Sequence, residues 1–201
     1  MQKIALIYMG GTFGCIGEPL MPMPEQAFLP LLEKIIPPHL QVECFAAPSI
    51  KDSSACTAVD WLQLIQQIQQ LQHNNYQYFV IIHGTDTMSY AAATLARFLG
   101  DSCHAIITGS QYPLLNIEGN DTREFTDAPG NLYLALEQVL KLPVGVYLAF
   151  HQQVFHAQTT LKVHTTELDA FTGIPATKEC LTSTNQFIVK DDHITQAAQL
   201  C

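Results

Sequence analysis

Tyr78-Phe79-Val80-Ile81-Ile82-His83-Gly84-Thr85-Asp86-Thr87-Met88 is the stretch on which the fold turns. Its first half is apolar or aromatic without alternation, which reads as a strand buried on both faces, the mark of a parallel sheet covered by helices on each side. The run breaks at Gly84 and resumes from Met88 to Leu99 as an Ala-rich helical pattern ended by Gly100. Between strand and helix lie two threonine hydroxyls and a carboxylate. Helix capping by Thr85 or Asp86 accounts for one of them. The others stand spare at the carboxyl end of a strand, where open parallel sheets form their ligand crevice.

The same alternation extends in both directions. Ile4–Met9 (IALIYM), Gln41–Ala46 (QVECFA), His104–Ser110 (HAIITGS) and Val144–Phe150 (VGVYLAF) are further short apolar runs. A helix is predicted from Thr57, with Asp60 completing a capping box and Trp61, Leu64, Ile65, Ile68 and Leu71 at helical spacing; another runs from Asn131 to Lys141, closed by Pro143. Strands that alternate with helices predict an α/β fold: a doubly wound, mostly parallel sheet in a three-layer, flavodoxin-like arrangement with right-handed crossovers. After Phe150 the pieces HQQVFHA and TTLKVHTT suit an antiparallel hairpin or crossover arm, and FIVKDDHIT predicts a C-terminal β-hairpin turning at Asp191-Asp192. The expected organisation is a single domain over 1–201.

Composition narrows the function classes. With 48% hydrophobic and 13% charged residues the chain has the makings of a packed core, and no apolar run approaches the ~18 residues of a membrane span. A net charge of −9 with scattered basic residues disfavours nucleic acid and anionic membrane as partners. The start, MQKIALIYMGG, reads as a first buried strand rather than a signal peptide. Six cysteines without a CxxC pair then suit reduced thiols and a cytoplasmic location.

Candidate chemistry sits just after the strands. Gly10-Gly11-Thr12-Phe13-Gly14 can aim backbone amides at an oxygen and present a hydroxyl, although a tight turn needing positive φ accounts for the same residues. Asp52-Ser53-Ser54 offers a carboxylate and hydroxyls, equally suited to a local Asx turn. A threonine hydroxyl is a poor nucleophile without a base, commonly a lysine amine. Lys162, in TTLKVHTT with no acidic residue before Glu167, is the candidate; read alone it is an edge-strand surface lysine. His151, His156 and His164 match no zinc spacing, so no metal is expected. A phosphate or nucleotide site at the Gly-rich turns is a further, weaker reading.

GGTFG, DSS before a helix containing DW, HGTDTM, TGSQYPL and LKVHTTELDAF occur in the order and approximate spacing of the L-asparaginase/glutaminase family, and the chain resembles the amino-terminal domain of its cytoplasmic branch. The resemblance implies a cofactor-free amidohydrolase acting on L-asparagine or a related small amino-acid amide by acyl transfer. It gives Thr12 as primary nucleophile, Thr85 as second threonine, Asp86 as the grip on the substrate α-amino group, and Lys162 as the base that activates Thr85. It implies further that Asp52 and Ser53 hold the substrate carboxylate, that Gly11 and Gly84 line the site, and that the Ser110 backbone carbonyl faces the leaving amide.

This sequence also departs from the family. Members carry a lid tyrosine after GGT, but CIGEPLMPMPEQAF contains none, and Pro19, Pro22 and Pro24 stiffen that segment. Members have a smaller carboxyl-terminal domain, which the expected single domain lacks, and NIEGNDTREFTDAPG is longer than the family's equivalent and placed to cover part of the crevice. Tyr112 is a nearby phenol, with a core or interface role as its other reading. Reduced activity and a homodimer or larger homo-oligomer are therefore expected. The alternative is a weakly catalytic or non-catalytic amino-acid-binding sensor or partner module.

Overall fold

The computed structural model describes residues 2–177 and 191–199. Its centre is a six-stranded sheet in the order β4-β1-β5-β6-β7-β8. The members are β1 (Lys3–Gly10), β4 (Gln41–Lys51), β5 (Tyr78–Ile82), β6 (His104–Thr108), β7 (Gly145–Phe150) and β8 (Gln153–His156). The first five are parallel, and β8 folds back antiparallel on β7, with Leu148 opposite Phe155. Two short hairpins flank the sheet: β2 (Cys15–Ile16) with β3 (Met21–Pro22), and β9 (Leu161–Lys162) with β10 (Phe171–Thr172).

Alternate residues of β1 feed two cores, as a strand buried on both faces requires. Ala5, Ile7 and Met9 meet Leu64, Ile65 and Ile68 of α2 (Ala58–His73) and Leu95 of α3 (Met88–Leu99). Ile4, Leu6 and Tyr8 meet Phe28 and Leu32 of α1 (Glu25–Lys34) and Leu132 and Leu136 of α4 (Ala128–Gln138). The result is the expected three-layer, doubly wound fold. From β1 the chain passes through α1 to β4 on one side, then through α2 to β5 on the other. The β1/β5 boundary is thus the topological switch point, and the crevice of such a sheet opens at its carboxyl end.

Two sequence expectations need correction. Helix α4 starts at Ala128, three residues before Asn131, because Pro129 suits a first-turn position whose N–H needs no partner. The predicted C-terminal β-hairpin does not turn at Asp191-Asp192: these residues begin helix α5 (Asp191–Gln199). Ile194 is fully buried in the core that α2 lines, and Ala197 packs against the same core, so burial at helical spacing overrides the turn preference of paired aspartates. Phe187–Lys190, the first arm of that hairpin, lie outside the described residues.

The capping box at α2 carries a testable ionic load. Asp60 Oδ2 accepts the Thr57 backbone N–H at 2.8 Å and its hydroxyl at 3.0 Å, while Lys51 Nζ reaches Oδ1 at 2.8 Å. Burial pushes the Asp60 carboxyl up, but the hydrogen bonds from Lys51, Thr57 and Ser49 outweigh it and hold the group down at about 2. A carboxyl whose pKa is lowered on folding adds stability above its unfolded value, and that stability disappears as pH falls through the folded one. Asp60→Asn is therefore expected to cost about 1–2 kcal/mol at pH 7. The gap between variant and parent should close between pH 4 and 2 in urea titrations, and a gap that persists at pH 2 would mean packing, not charge, is responsible.

Candidate active site

Glycine lets three strand-end turns meet at one point. A side chain on Gly11 would run into the Cα and N of Gly84, and one on Gly84 would meet Ser53 Oγ and the Gly11 Cα at 3.1 Å. Gly11 has φ 80° and ψ −176°, a conformation other residues scarcely adopt. Its N–H donates to Lys51 O at 3.2 Å, tying the β1 turn to the end of β4. Gly11 and Gly84 thus pack backbone to backbone with the Ser53 side chain against Gly84, which brings the turns carrying Thr12, Thr85 and Asp52 together at one end of the sheet.

Thr12 opens a short 3-10 turn over Thr12–Gly14 and is half-buried, while Phe13 beneath it is fully buried. Asp52 behaves as the local-turn reading expects: its Oδ1 accepts the Ser54 N–H at 2.8 Å and the Ser54 hydroxyl at 2.6 Å, which hold the carboxyl below its ordinary range. Ser53 is buried, and its carbonyl accepts the Thr87 hydroxyl at 2.8 Å, joining the β4 turn to the start of α3. The Asp52 carboxylate thus stays ionised and orders its own turn.

Lys162 reaches the site from the β9/β10 hairpin, where it pairs with Phe171 across the ladder. Phe171 in turn meets Phe150 edge to face at 5.0 Å, anchoring the hairpin on the sheet. The Lys162 ammonium donates to Thr85 Oγ1 at 2.9 Å and to Asp86 Oδ1 at 2.8 Å. Its side chain is 15% exposed, against 57% for that of Asp86, so the lysine is largely screened from solvent while the carboxylate is open to it. The sequence signal for this lysine is now a geometric one: a hydroxyl and an amine within proton-transfer distance.

His83 belongs to the site's support although sequence reasoning assigned it no role. It is fully buried; Trp61 Nε1 donates to its Nε2 at 3.2 Å, and its Nδ1 lies 2.7 Å from Gly84 O. An indole can only donate and a carbonyl can only accept, so these partners fix a neutral ring protonated on Nδ1. Burial lowers its pKa in keeping with that state. His83 thereby orients the Gly84 carbonyl from below. Ser110, also buried, turns its hydroxyl onto Tyr112 O at 2.6 Å.

Two loops frame the crevice. After Thr12 the chain forms the β2/β3 hairpin, tied to the loop after β6 by Gly17 N–H donating to Ile117 O at 3.2 Å, and by Leu114 N–H donating to Phe13 O at 3.0 Å. The long NIEGNDTREFTDAPG segment thus braces the first turn. Tyr112 packs its ring edge to face on Phe125 at 5.1 Å, a structural contact within that loop, rather than being held by a hydrogen bond to Thr12. Among the described residues no three His, Cys, Asp or Glu side chains gather as a metal site.

Known proteins share this fold. The family model described as Asparaginase, N-terminal matches residues 3–194. L-asparaginase 1 of Escherichia coli K12 is 31% identical over 191 residues, covering 85% of this chain and 51% of that protein. The structure of L-asparaginase I from Vibrio cholerae matches with a TM-score of 0.71 and 29% identity, over 86% of this chain and 51% of that one. The probable cytoplasmic L-asparaginase from Campylobacter jejuni matches with a TM-score of 0.68 and 25% identity, over 86% and 52%. The chain spans about half the length of these relatives. With a doubly wound sheet and a family match across nearly its whole length, the chain belongs to the asparaginase family through its amino-terminal domain.

Proposed function

We propose that this chain hydrolyses the side-chain amide of L-asparagine, or of a closely related small amino-acid amide, by threonine-based acyl transfer in the cytoplasm. The observation that carries the reading is the Lys162–Thr85–Asp86 contact set beside the Gly11–Gly84 junction that holds Thr12 in the same crevice. In the first half-reaction Thr12 Oγ bonds to the amide carbon, the C–N bond breaks, and the nitrogen leaves as ammonia with the hydroxyl proton. In the second, water adds to the ester, the C–O bond to Thr12 breaks, and the carboxylic acid product leaves with Thr12 restored. Thr85 and Lys162 move the protons, Asp86 receives the substrate α-amino group, the Asp52–Ser53 turn holds the substrate carboxylate, and backbone N–H groups of the turns stabilise the tetrahedral oxyanion.

Turnover is expected to be slow relative to these relatives. Residues 13–34 contain no tyrosine to assist Thr12. A missing positioned proton-transfer group typically costs ~100- to 10,000-fold. We read residues 1–201 as one domain that works as a homodimer or larger assembly. Leu20 and Met21 on the β2/β3 hairpin, and Leu161 and Val163 on either side of Lys162, are exposed apolar side chains that self-association would cover. Light scattering is expected to give a dimer mass or more, and a monomer mass at all concentrations would remove the assembly.

Ammonia release from asparagine, measured beside a Thr12→Val variant, tests the function. Release by the parent and none by the variant is the expected result. Calorimetric binding of aspartate without any ammonia from asparagine, glutamine or related amides would overturn hydrolysis in favour of a binding module.

A further inference from the structure

The geometry points to Gln111 as a positioning residue of this site: it fixes the direction of the Thr85 hydroxyl and locks the Lys162 hairpin against the turn after β6. The inference rests on the hydrolytic reading only for its kinetic consequence, because the hydrogen bonds themselves are independent of any reaction.

Gln111 Nε2 donates to Thr165 O at 3.0 Å and to Glu167 O at 2.8 Å. Both partners are carbonyls, which only accept, so the amide cannot flip without losing both bonds. Its Oε1 is therefore forced toward Thr85, where it accepts the Thr85 Oγ1 hydrogen at 3.3 Å. A hydroxyl has one hydrogen to give. With the Lys162 ammonium donating to Thr85 Oγ1, that hydrogen must go elsewhere, and Gln111 is its acceptor. The result is a defined order, Lys162 to Thr85 to Gln111, with a Thr85 lone pair held on the lysine. Without the amide the hydroxyl can rotate, and the segment between β9 and β10 that carries Thr165 and Glu167 loses its tie to the sheet.

Gln111 is itself held from behind. Its backbone N–H points at the Asp127 carboxylate, at 3.1 and 3.0 Å from the two oxygens, and the Tyr112 N–H donates to the same group at 3.0 Å. Asn131, buried on α4, donates to Asp127 Oδ2 at 2.9 Å and to Gly109 O at 3.0 Å, and accepts the His151 N–H at 2.9 Å. A rigid helix thus sets the turn, the turn sets the glutamine, and the glutamine sets the hydroxyl. Side chains locked in this way are what accurate placement of a reacting group requires.

The test compares Gln111→Met, which removes donor and acceptor at similar volume, with Gln111→Glu, which keeps an acceptor toward Thr85 but cannot donate to the two carbonyls. For Met, kcat for asparagine is expected to fall about 10- to 100-fold with KM within about threefold. For Glu, most of that kcat should return. Independently of turnover, amide hydrogen exchange across residues 161–171 and acylation of Lys162 by an amine reagent, read by mass spectrometry, should accelerate at least about threefold in both variants. Exchange and labelling that match the parent would overturn the proposal whether or not the protein is an enzyme. A kcat for Met within twofold of the parent, a loss confined to KM, or no recovery with Glu would overturn the orientation of Thr85. If the parent releases no ammonia but exchange and labelling change as stated, the hydrolytic reading falls and the positioning role stands. Circular dichroism confirms folding of each variant, and Glu keeps the test open should Met fail to fold.

Discussion

Replacing Lys162 by Met is expected to lower kcat for asparagine about 1,000-fold or more while leaving the protein folded. The activity half follows from geometry: the amine is the basic group in contact with Thr85 Oγ1, at 2.9 Å, and a thioether can neither take up nor return a proton. The stability half follows from exposure. Its ionic partner Asp86 is more than half solvent-exposed, and ion pairs of that kind contribute about 0–1 kcal/mol, which corresponds to a fall in Tm of no more than about 4 °C for a chain of this size. Methionine also fills the path of the lysine stem. Lys162→Arg separates two meanings of the result, since a guanidinium keeps the positive charge but does not give up its proton at usable pH. If arginine restores turnover, the lysine serves as a fixed charge; if arginine is as inactive as methionine, it serves as a base. Turnover by Lys162→Met equal to the parent's would take the residue out of the mechanism.

How much of this was legible beforehand depended on whether the deciding force was local. The strand runs and the α2 pattern read correctly because burial on both sheet faces and on one helix stripe writes its period into neighbouring residues, as at Ile4–Met9 and at Leu64, Ile65 and Ile68. The strand-end turns were legible as turns, because glycine and hydroxyls follow each apolar run, although a purely structural turn accounted equally for Gly10–Gly14 and for Asp52–Ser54. Lys162 was readable from its unusual surroundings and the family pattern, though its contact with Thr85 spans 77 positions and is nowhere implied by local sequence. Gln111 and Asp127 were missed because a glutamine and an aspartate in a loop acquire their roles only when β6, α4 and the β9/β10 hairpin meet. Asp127 had one local signal, its position ahead of Pro129, which marks a helix start. The Asp191-Asp192 turn failed in the opposite sense. There the local preference was plain, and the burial of Ile194 against distant residues of the core outweighed it.

Gly11→Ala is expected to cost about 3 kcal/mol or more and to remove whatever activity is present. Two penalties coincide at this position. The φ of 80° with an extended ψ lies where a Cβ is strained in any surroundings. The added carbon would also overlap the Gly84 Cα and lie 2.6 Å from its N, and backbone atoms, unlike the end of a flexible side chain, have no rotamer by which to withdraw. Relief is possible only if the β1 and β5 turns separate, which moves Thr12 away from Thr85 and opens the Ser53 contact. Activity should then be lost even in the fraction that remains folded. Gly130→Ala makes the comparison fair. It is the same chemical change, set in helix α4 with nothing but its chain neighbours and the helix's own backbone within 4 Å of the new carbon, and the greater helix propensity of alanine should stabilise the fold by about 0.5–1 kcal/mol. Thermal unfolding of the two variants should therefore move in opposite directions from the parent. A Gly11→Ala protein that melts no lower than Gly130→Ala would mean the turns are not in backbone contact, and the case for a shared crevice at the β1/β5 switch point would fail with it.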